Sequence, residues 1–592
     1  MSPAAPTRDW LRPALICAAL VVLTWLVFGQ TVRFEFVNYD DHEWIVDNPR
    51  VNAGLTTDGV RWAFSRFHAG PLSSVSHMVD YDIFGSSPWG HHLSNVLLHI
   101  GATLVLFLAL RSLTGGPWSS AFVSALFAIH PLRAESVAWV TERKDVLSGL
   151  FFSLSLLSYA GWARKRSFLA YAAVLACFGL GLMAKSSVVM LPLLLLLLDY
   201  WPLDRWKVAA TGPLLLEKVP LLVMSGACAF ATYRTHAAAG NTFEPISLGD
   251  RLAQAVAGVF IYVRQTIFPA GLSPFYKTEK YSGLEIVLAA LLLATVCLAA
   301  IAWRKRAPHF FVGWFWYLVL LLPVSGIVQI AAQTRADRYT YLPQIGLWIA
   351  LVWTASAIVS GRTQIGKLAG GVAFVAIVAY ALAAYPVVGA WRNTETLWTR
   401  AIAVDPANDF ARASFSDYLL RNDRIDEALS RAQEALRFNS RNADAHNNLA
   451  LALMRKGRAA EAVSHWEQSL ALNPGNLNAR CNLASVLAID PTSTVADGKR
   501  AVELVEPVAA GVPDSNPSVW QILSMAYARA ERFDDAVNAG EKGRGIAQRM
   551  GNDVMVAQFD RLIALYRERR PLDDSSVPSK ANSPPPLLVR PR

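Results

Sequence analysis

Charge is scarce in this chain. Asp, Glu, Lys and Arg make up 17% of its 592 residues, against 53% hydrophobic, where soluble domains hold about 25% charged residues. That balance excludes a wholly soluble protein and points to the bilayer. Cysteine is also sparse: Cys17, Cys177, Cys228 and Cys297 lie in apolar runs and Cys481 stands alone in a polar region. No Cys-x-x-Cys or His/Cys ligand spacing occurs, so neither a disulfide framework nor structural zinc is expected. A Walker A loop, a dinucleotide-binding glycine fingerprint, a Gly-x-Ser-x-Gly elbow and a His-Glu-x-x-His motif are all missing, which argues against a nucleotide-driven transporter and a serine hydrolase. The first apolar run ends in Gly29-Gln30-Thr31-Val32-Arg33 without a small-x-small cleavage site, and reads as a retained signal anchor.

The net charge of +10 is distributed in short basic clusters between apolar runs, such as Arg164-Lys165-Arg166, Arg205/Lys207 and Arg304-Lys305-Arg306. These are topology marks of the positive-inside kind, not a nucleic-acid surface. Twelve apolar runs centre near residues 20, 102, 124, 154, 176, 194, 222, 260, 293, 320, 350 and 379. With the basic clusters placed in the cytoplasm, both ends of the run near 260 fall outside, so that run is expected to be re-entrant or interfacial. About eleven crossings remain over residues 1–390. An odd number puts everything after 390 on the same side as the loop at 31–91.

Residues 391–570 read as a helical repeat array. Asp426-Glu427-Ala428-Leu429 returns as Ala460-Glu461-Ala462-Val463, 34 residues later, and Asp405-Pro406 returns as Asn473-Pro474 after 68. The segment from His446 through Trp466 to Pro474 resembles a tetratricopeptide repeat, whose helix pairs bury their apolar faces against their neighbours. Phe533-Asp534-Asp535-Ala536 marks a further copy, and Asp490-Pro491 sits in an insertion between copies. Residues 571–592, with Pro584-Pro585-Pro586, read as a disordered tail. The expected fold class is all-α: a polytopic membrane domain followed by a soluble α-solenoid.

Polar constellations on the outer side are the candidates for chemistry. Asp40, Asp41 and Glu43 stand in the opening loop, and carboxylates near hydrocarbon are costly enough to suggest function. A solvated turn is the plain alternative. Glu135, then Glu142-Arg143-Lys144-Asp145, follow His130-Pro131; Lys185 ends one apolar run, and Arg335-Ala336-Asp337-Arg338-Tyr339 precedes another. Basic residues outside run against the positive-inside tendency. The phosphate of a polyprenyl-phosphate-linked sugar would explain them, since Arg and Lys would hold it as the leaving group. A carboxylate across from it would take the proton of an acceptor hydroxyl. His130 could equally cap a span, and the Arg/Asp pairs could be structural bridges. Adjacent acids can hold a divalent cation, but no third dedicated ligand is evident.

The order of motifs is specific. Phe36-Val37-Asn38-Tyr39-Asp40-Asp41, Gly90-His91-His92-Leu93-Ser94-Asn95-Val96-Leu97-Leu98-His99, Leu126-Phe127-Ala128-Ile129-His130-Pro131, Arg143-Lys144-Asp145-Val146-Leu147 and Arg338-Tyr339-Thr340-Tyr341-Leu342-Pro343 resemble the transmembrane and tetratricopeptide-repeat (TMTC) protein O-mannosyltransferases. The resemblance implies a GT-C membrane fold, a polyprenyl-phosphate-mannose donor, and inverting transfer to Ser or Thr hydroxyls of an acceptor polypeptide on the extracytoplasmic face of the cytoplasmic membrane. Asp40 and Asp41 would be the catalytic acids. Glu135, Arg143, Lys185 and Arg338 would contact the donor, joined by Lys144, Arg335 and Tyr339 of the same constellations, with His42 and Glu43 toward the acceptor. Two departures stand out. Lys185-Ser186-Ser187 replaces an acid-Gln pair common in the family, and the repeats are fewer than in animal members. A lipid or polysaccharide acceptor, or a non-enzymatic membrane-anchored repeat scaffold, are the competing expectations.

Overall fold

The computed structural model describes residues 10–66, 70–207, 211–239, 246–279, 281–328, 333–489, 497–511 and 516–571. The tail after 571, the insertion at Asp490-Pro491 and part of the loop at 234–251 lie outside the described residues. Among the described residues the secondary structure is helical throughout, with no strand. By contacts the chain divides after Val404, whereas the composition shift falls near 390; helix Thr394–Val404 therefore goes with the first unit.

In that unit six helices are long and apolar enough to cross a membrane: Leu11–Arg33, Pro88–Thr114, Val140–Lys165, Thr211–Thr235, Gly283–Trp303 and Thr363–Gly389. Five shorter apolar helices accompany them: Pro117–Ile129, Phe168–Ala184, Ser186–Tyr200, Pro308–Val324 and Pro343–Val359. Proline opens many of these because its fixed φ and missing N–H suit the first helical turn. The run near 260 forms helix Leu248–Ile267 and belongs to neither set. It carries Asp250, Arg251, Arg264 and Gln265. Small residues let helices approach in an apolar medium. A Cβ added at Gly346 would lie 2.4 Å from the Gly313 carbonyl oxygen, and one at Gly313 would lie 2.5 Å from the Gly346 carbonyl oxygen. Helices Pro308–Leu321 and Pro343–Val359 therefore touch backbone to backbone.

Arg205, expected as a solvent-facing topology mark, is instead buried. It pairs with Asp199 at 2.8 Å and Glu217 at 2.6 Å, and Lys218 reaches Asp199 at 2.7 Å. Two cations and two carboxylates neutralise one another there, which is how buried charge persists.

The second unit stacks four helix pairs among the described residues: Asp409–Arg421 with Ile425–Phe438, Ala443–Arg455 with Ala459–Leu472, Leu477–Ile489 with Gly498–Gly511, and Pro517–Arg529 with Phe533–Arg549, followed by Asp553–Arg567. The repeat positions Ala428, Ala462, Ala501 and Ala536 are all fully buried, where anything larger would separate the helices. Asp423, Gly457 and Glu531 take positive φ at the equivalent turn of three pairs. Asn447 ties successive pairs by accepting from Trp466 Nε1 at 3.1 Å and from Asn482 Nδ2 at 3.2 Å.

Candidate active site

The opening loop is a chain of short helical turns, His42–Val46, Pro49–Asn52 and Thr57–Ser65, the last two capped by the side chains of Asn48 and Thr56. Within it Asp40 and Asp41 have opposite circumstances. Asp41 is 1% exposed. Its Oδ2 accepts from the Val37 N–H at 2.9 Å, and its Oδ1 accepts from the Thr141 N–H at 3.1 Å and hydroxyl at 2.5 Å. Burial pushes its pKa up to about 6 against the pull of those donors. Asp41 is a tie between the loop and the turn Val140–Glu142. Asp40 is half-buried, and its carboxylate makes no hydrogen bond among the described residues. Burial raises its pKa, the charges of Lys144 and Arg338 oppose that rise, and Glu142 adds to it. Val37 and Thr141 take three of the acceptor positions of Asp41, whereas the Asp40 carboxylate is left to the charges around it.

Three cations and three carboxylates form one network beside Asp40. Lys185 contacts Asp145 and lies 3.6 Å from Glu142; Lys144 lies 3.0 Å from Glu142. Arg338 Nε is 3.3 Å from Glu142, its Nη1 contacts Glu135, and its backbone N–H donates to Glu135 at 2.9 Å. Burial works against the charges of Arg338 and Lys185, but Glu135 and Glu142 outweigh it for the first, and Asp145 and Glu142 for the second. Trp139 and Tyr339 lie 5.5 and 5.1 Å from the guanidinium, and Trp139 stacks on Tyr39 at 4.6 Å. A small cleft here is lined by Asp145, Lys185, Arg338 and Tyr339 together with Leu320, Val324, Leu342 and Pro343. Its lining suits a charged head and an apolar chain.

Other expected site residues are placed elsewhere. Arg143 turns away from the cleft: fully buried, it pairs with Asp80 and donates to Asn95 Oδ1 at 2.6 Å and the His91 carbonyl at 2.7 Å. It is a structural bridge, although its neighbour Lys144 faces the network. Arg335 pairs with Glu279 at 3.2 Å and lies over Tyr276 at 4.1 Å, lining an adjoining cleft. His42 pairs with Asp47 at 3.6 Å, and Glu43 is exposed. His130 caps the turn Pro131–Arg133 by accepting from the Leu132 N–H at 3.2 Å.

Several residues that build the site stood in the expected constellations without an assigned role, and Thr141 stood outside them. Glu142 is the hub of the cations, Asp145 seats Lys185, Thr141 holds Asp41, and Asp337 accepts from the Tyr276 hydroxyl at 2.7 Å. Burial, followed by the charge of Glu135, pushes the Asp337 pKa up to about 8. The i, i+3 spacing of Glu142 and Asp145 across the start of a helix was the available signal for two of them.

Residues 77–230 match the model of dolichyl-phosphate-mannose-protein mannosyltransferases, and residues 414–488 match a tetratricopeptide repeat model. The first match includes Glu135, Glu142, Lys144, Asp145 and Lys185 and leaves Asp40 and Arg338 outside. Among curated proteins the chain is similar to protein O-mannosyl-transferase TMTC1 of Mus musculus, 36% identical over 27% of this chain and 18% of that protein. TMTC1 of Homo sapiens is 24% identical over 74% of this chain and 57% of that protein. TMTC4 of Homo sapiens is 26% identical over 64% and 60%. The chain thus spans less than two thirds of the length of these relatives. With a mannosyltransferase-type match in its membrane region, repeats behind it and relatives that align across much of its length, the chain is similar to the TMTC protein O-mannosyl-transferases.

Proposed function

We propose that the chain is a membrane glycosyltransferase of the GT-C type, moving a mannosyl group from a polyprenyl-phosphate carrier to Ser or Thr hydroxyls of polypeptides on the extracytoplasmic face. The observation that carries this reading is Asp40, a carboxylate within range of the charges of Arg338 and Lys144, near a cleft lined by Lys185, Arg338 and apolar side chains. The relatives' names, protein O-mannosyl-transferase, supply the sugar and the acceptor class.

In this reading the donor phosphate sits against Lys185 and Arg338, and the polyprenyl chain follows Leu320, Val324 and Leu342. Both cations are seated beforehand by Asp145, Glu142 and Glu135, so they need not reorganise as charge grows on the departing phosphate. Asp40 takes the proton of the acceptor hydroxyl while its oxygen attacks the anomeric carbon from the face opposite the phosphate. The carbon–oxygen bond to phosphate breaks in the same step, and the configuration inverts. Helix Leu248–Ile267 lies at the interface, and the repeats present the acceptor chain.

The test is transfer by the purified full chain in lipid nanodiscs, given radiolabelled mannosyl-phosphoryl-polyprenol and a Ser/Thr-rich peptide. Label on peptide hydroxyls, with the anomer inverted relative to the donor, is expected. Label confined to a lipid or polysaccharide acceptor would sink the polypeptide reading, and no transfer to any acceptor would sink the enzyme.

A further inference from the structure

Away from the cleft, His77, Asp80 and His91 bring one ligand atom each to within 4.8 Å of one another. His77 and Asp80 lie one turn apart on one face of helix Pro71–Phe84. His91 comes from the first turn of helix Pro88–Thr114, across the sharp turn at Gly85, where φ is +66°. They are 4%, 5% and 0% exposed.

The ring nitrogens of this cluster are not all satisfied by protein partners. His91 Nδ1 lies 3.4 Å from His77 Nδ1 and 3.5 Å from Asp80 Oδ2, while His91 Nε2 faces the Gly85 carbonyl at 3.4 Å. A proton on Nε2 serves Gly85 and leaves the Nδ1 lone pair facing both the Asp80 carboxylate and His77 Nδ1, which donates to it only in the tautomer that leaves His77 Nε2 as a bare, buried acceptor. A proton on Nδ1 serves only one of its two neighbours and turns the Nε2 lone pair onto a carbonyl oxygen. His77 Nε2 is buried and has no partner among the described residues. Ligand atoms of His77, Asp80 and His91 thus face one another in a buried pocket, with the Arg143 guanidinium paired to the same carboxylate.

We propose that His77, Asp80 and His91 bind a divalent transition-metal ion, zinc fitting best. Imidazole nitrogen with a carboxylate is a zinc donor set, and tetrahedral bonds of about 2.0–2.1 Å place ligand atoms roughly 3.4 Å apart. The observed 3.4 and 3.5 Å separations match that edge. The surroundings also match what a metal requires of its outer shell. His91 keeps Nε2 for a backbone carbonyl, Ser94 donates to Asp80 Oδ1 at 2.8 Å, and Arg143 holds Oδ2. Three protein ligands leave one position for water. With Arg143 on the same carboxylate the loaded site is net positive, so its metal yields to chelators sooner than an all-thiolate site would. The sequence argued against structural zinc on cysteine spacing, and these ligands come from His and Asp.

The site would clamp the opening loop. Asp82, on the same helix, accepts from the Leu55 N–H at 2.9 Å, and Phe36 packs edge-on against His91 at 5.5 Å. The proposal stands on this cluster alone and does not depend on the transferase reading.

The full chain, purified in detergent with a tag free of histidine, is loaded with zinc, desalted and measured by elemental mass spectrometry. One zinc per chain is expected, removed by EDTA with a fall in melting temperature of several degrees and lost in the His77→Gln/His91→Gln variant. Cobalt in its place should give the intense visible absorption of a tetrahedral site. Wild-type chain retaining less than about a tenth of an equivalent, with no cobalt spectrum, overturns the proposal in favour of a proton at the same point. Full zinc in the folded double variant also overturns it. Should that variant not stay monodisperse, the wild-type cobalt spectrum decides alone.

Discussion

A carboxylate can act as a base only with a lone pair that its own protein leaves free, and this distinguishes Asp40 from Asp41. Asp41 accepts three hydrogen bonds in a buried site, and its pKa of about 6 stands above its ordinary 3.8. The folded state therefore holds that proton more tightly than the unfolded chain. The contribution is fully present below pH 4 and is lost as pH rises through 6, a swing of roughly 3 kcal/mol. We expect the melting temperature to fall from pH 4 to 6 and the Asp41→Asn variant to lose that part of the slope; an unchanged slope would refute the assignment. Asp337, pushed up to about 8 by burial, contributes stability that is lost as pH rises through 8, so Asp337→Asn should flatten the fall in melting temperature between pH 7 and 9, read by thermal unfolding across that range. The raised pKa of Asp40 predicts an acidic limb of the transfer rate lying above pH 3.8, since the base works ionised. That these two acids are adjacent was plain in the sequence; their difference was not, because it is set by Thr141, a hundred residues downstream. Arg143 and Lys144 show the same limit, as neighbours at a helix start that face different surroundings.

Helices position these side chains, and one contact matters more than its size suggests. Arg338 and Tyr339 lie in the turn Asp337–Thr340, which leads into helix Pro343–Val359. That helix is held against Pro308–Leu321 at Gly313 and Gly346, and a Cβ at Gly149 would come within 2.5 Å of the Tyr341 ring. Overpacking such a contact costs about 1–3 kcal/mol. We expect Gly346→Leu to lower the melting temperature and to weaken donor binding by displacing Arg338, whereas Gly361→Ala, at an open turn with φ +75°, should lower stability through backbone strain but spare donor affinity. Equal donor affinity in wild type and Gly346→Leu would show that this crossing does not set the cleft. Apolar runs and turn prolines made the helices legible in the sequence. The Gly–Gly crossing was not, because nothing within either helix specifies its partner.

For the whole molecule the repeat period of 34 residues was readable because Ala428 and Ala462 meet the same small-residue demand, while the insertion at Asp490-Pro491 shifts Ala501 and Ala536 out of that register. The basic clusters were a weaker guide, since Arg205 proved to be a buried ion-pair partner. The parity of crossings still makes a sharp prediction. Cysteines introduced at Ser65 in the opening loop and Ser430 in the repeats should both react with an impermeant maleimide from the extracytoplasmic side, and one at Ser360 should not. Labelling of Ser65→Cys and Ser430→Cys from opposite sides would break the topology and with it any role for the repeats in delivering an acceptor to the loop. The central claim, that Asp40 is the base of a glycosyl transfer, is tested most directly by single-turnover transfer from polyprenyl-phosphate-mannose by the Asp40→Asn variant. A loss of at least about a hundredfold, with donor binding and melting temperature unchanged, is the predicted result. Transfer at the wild-type rate would contradict it.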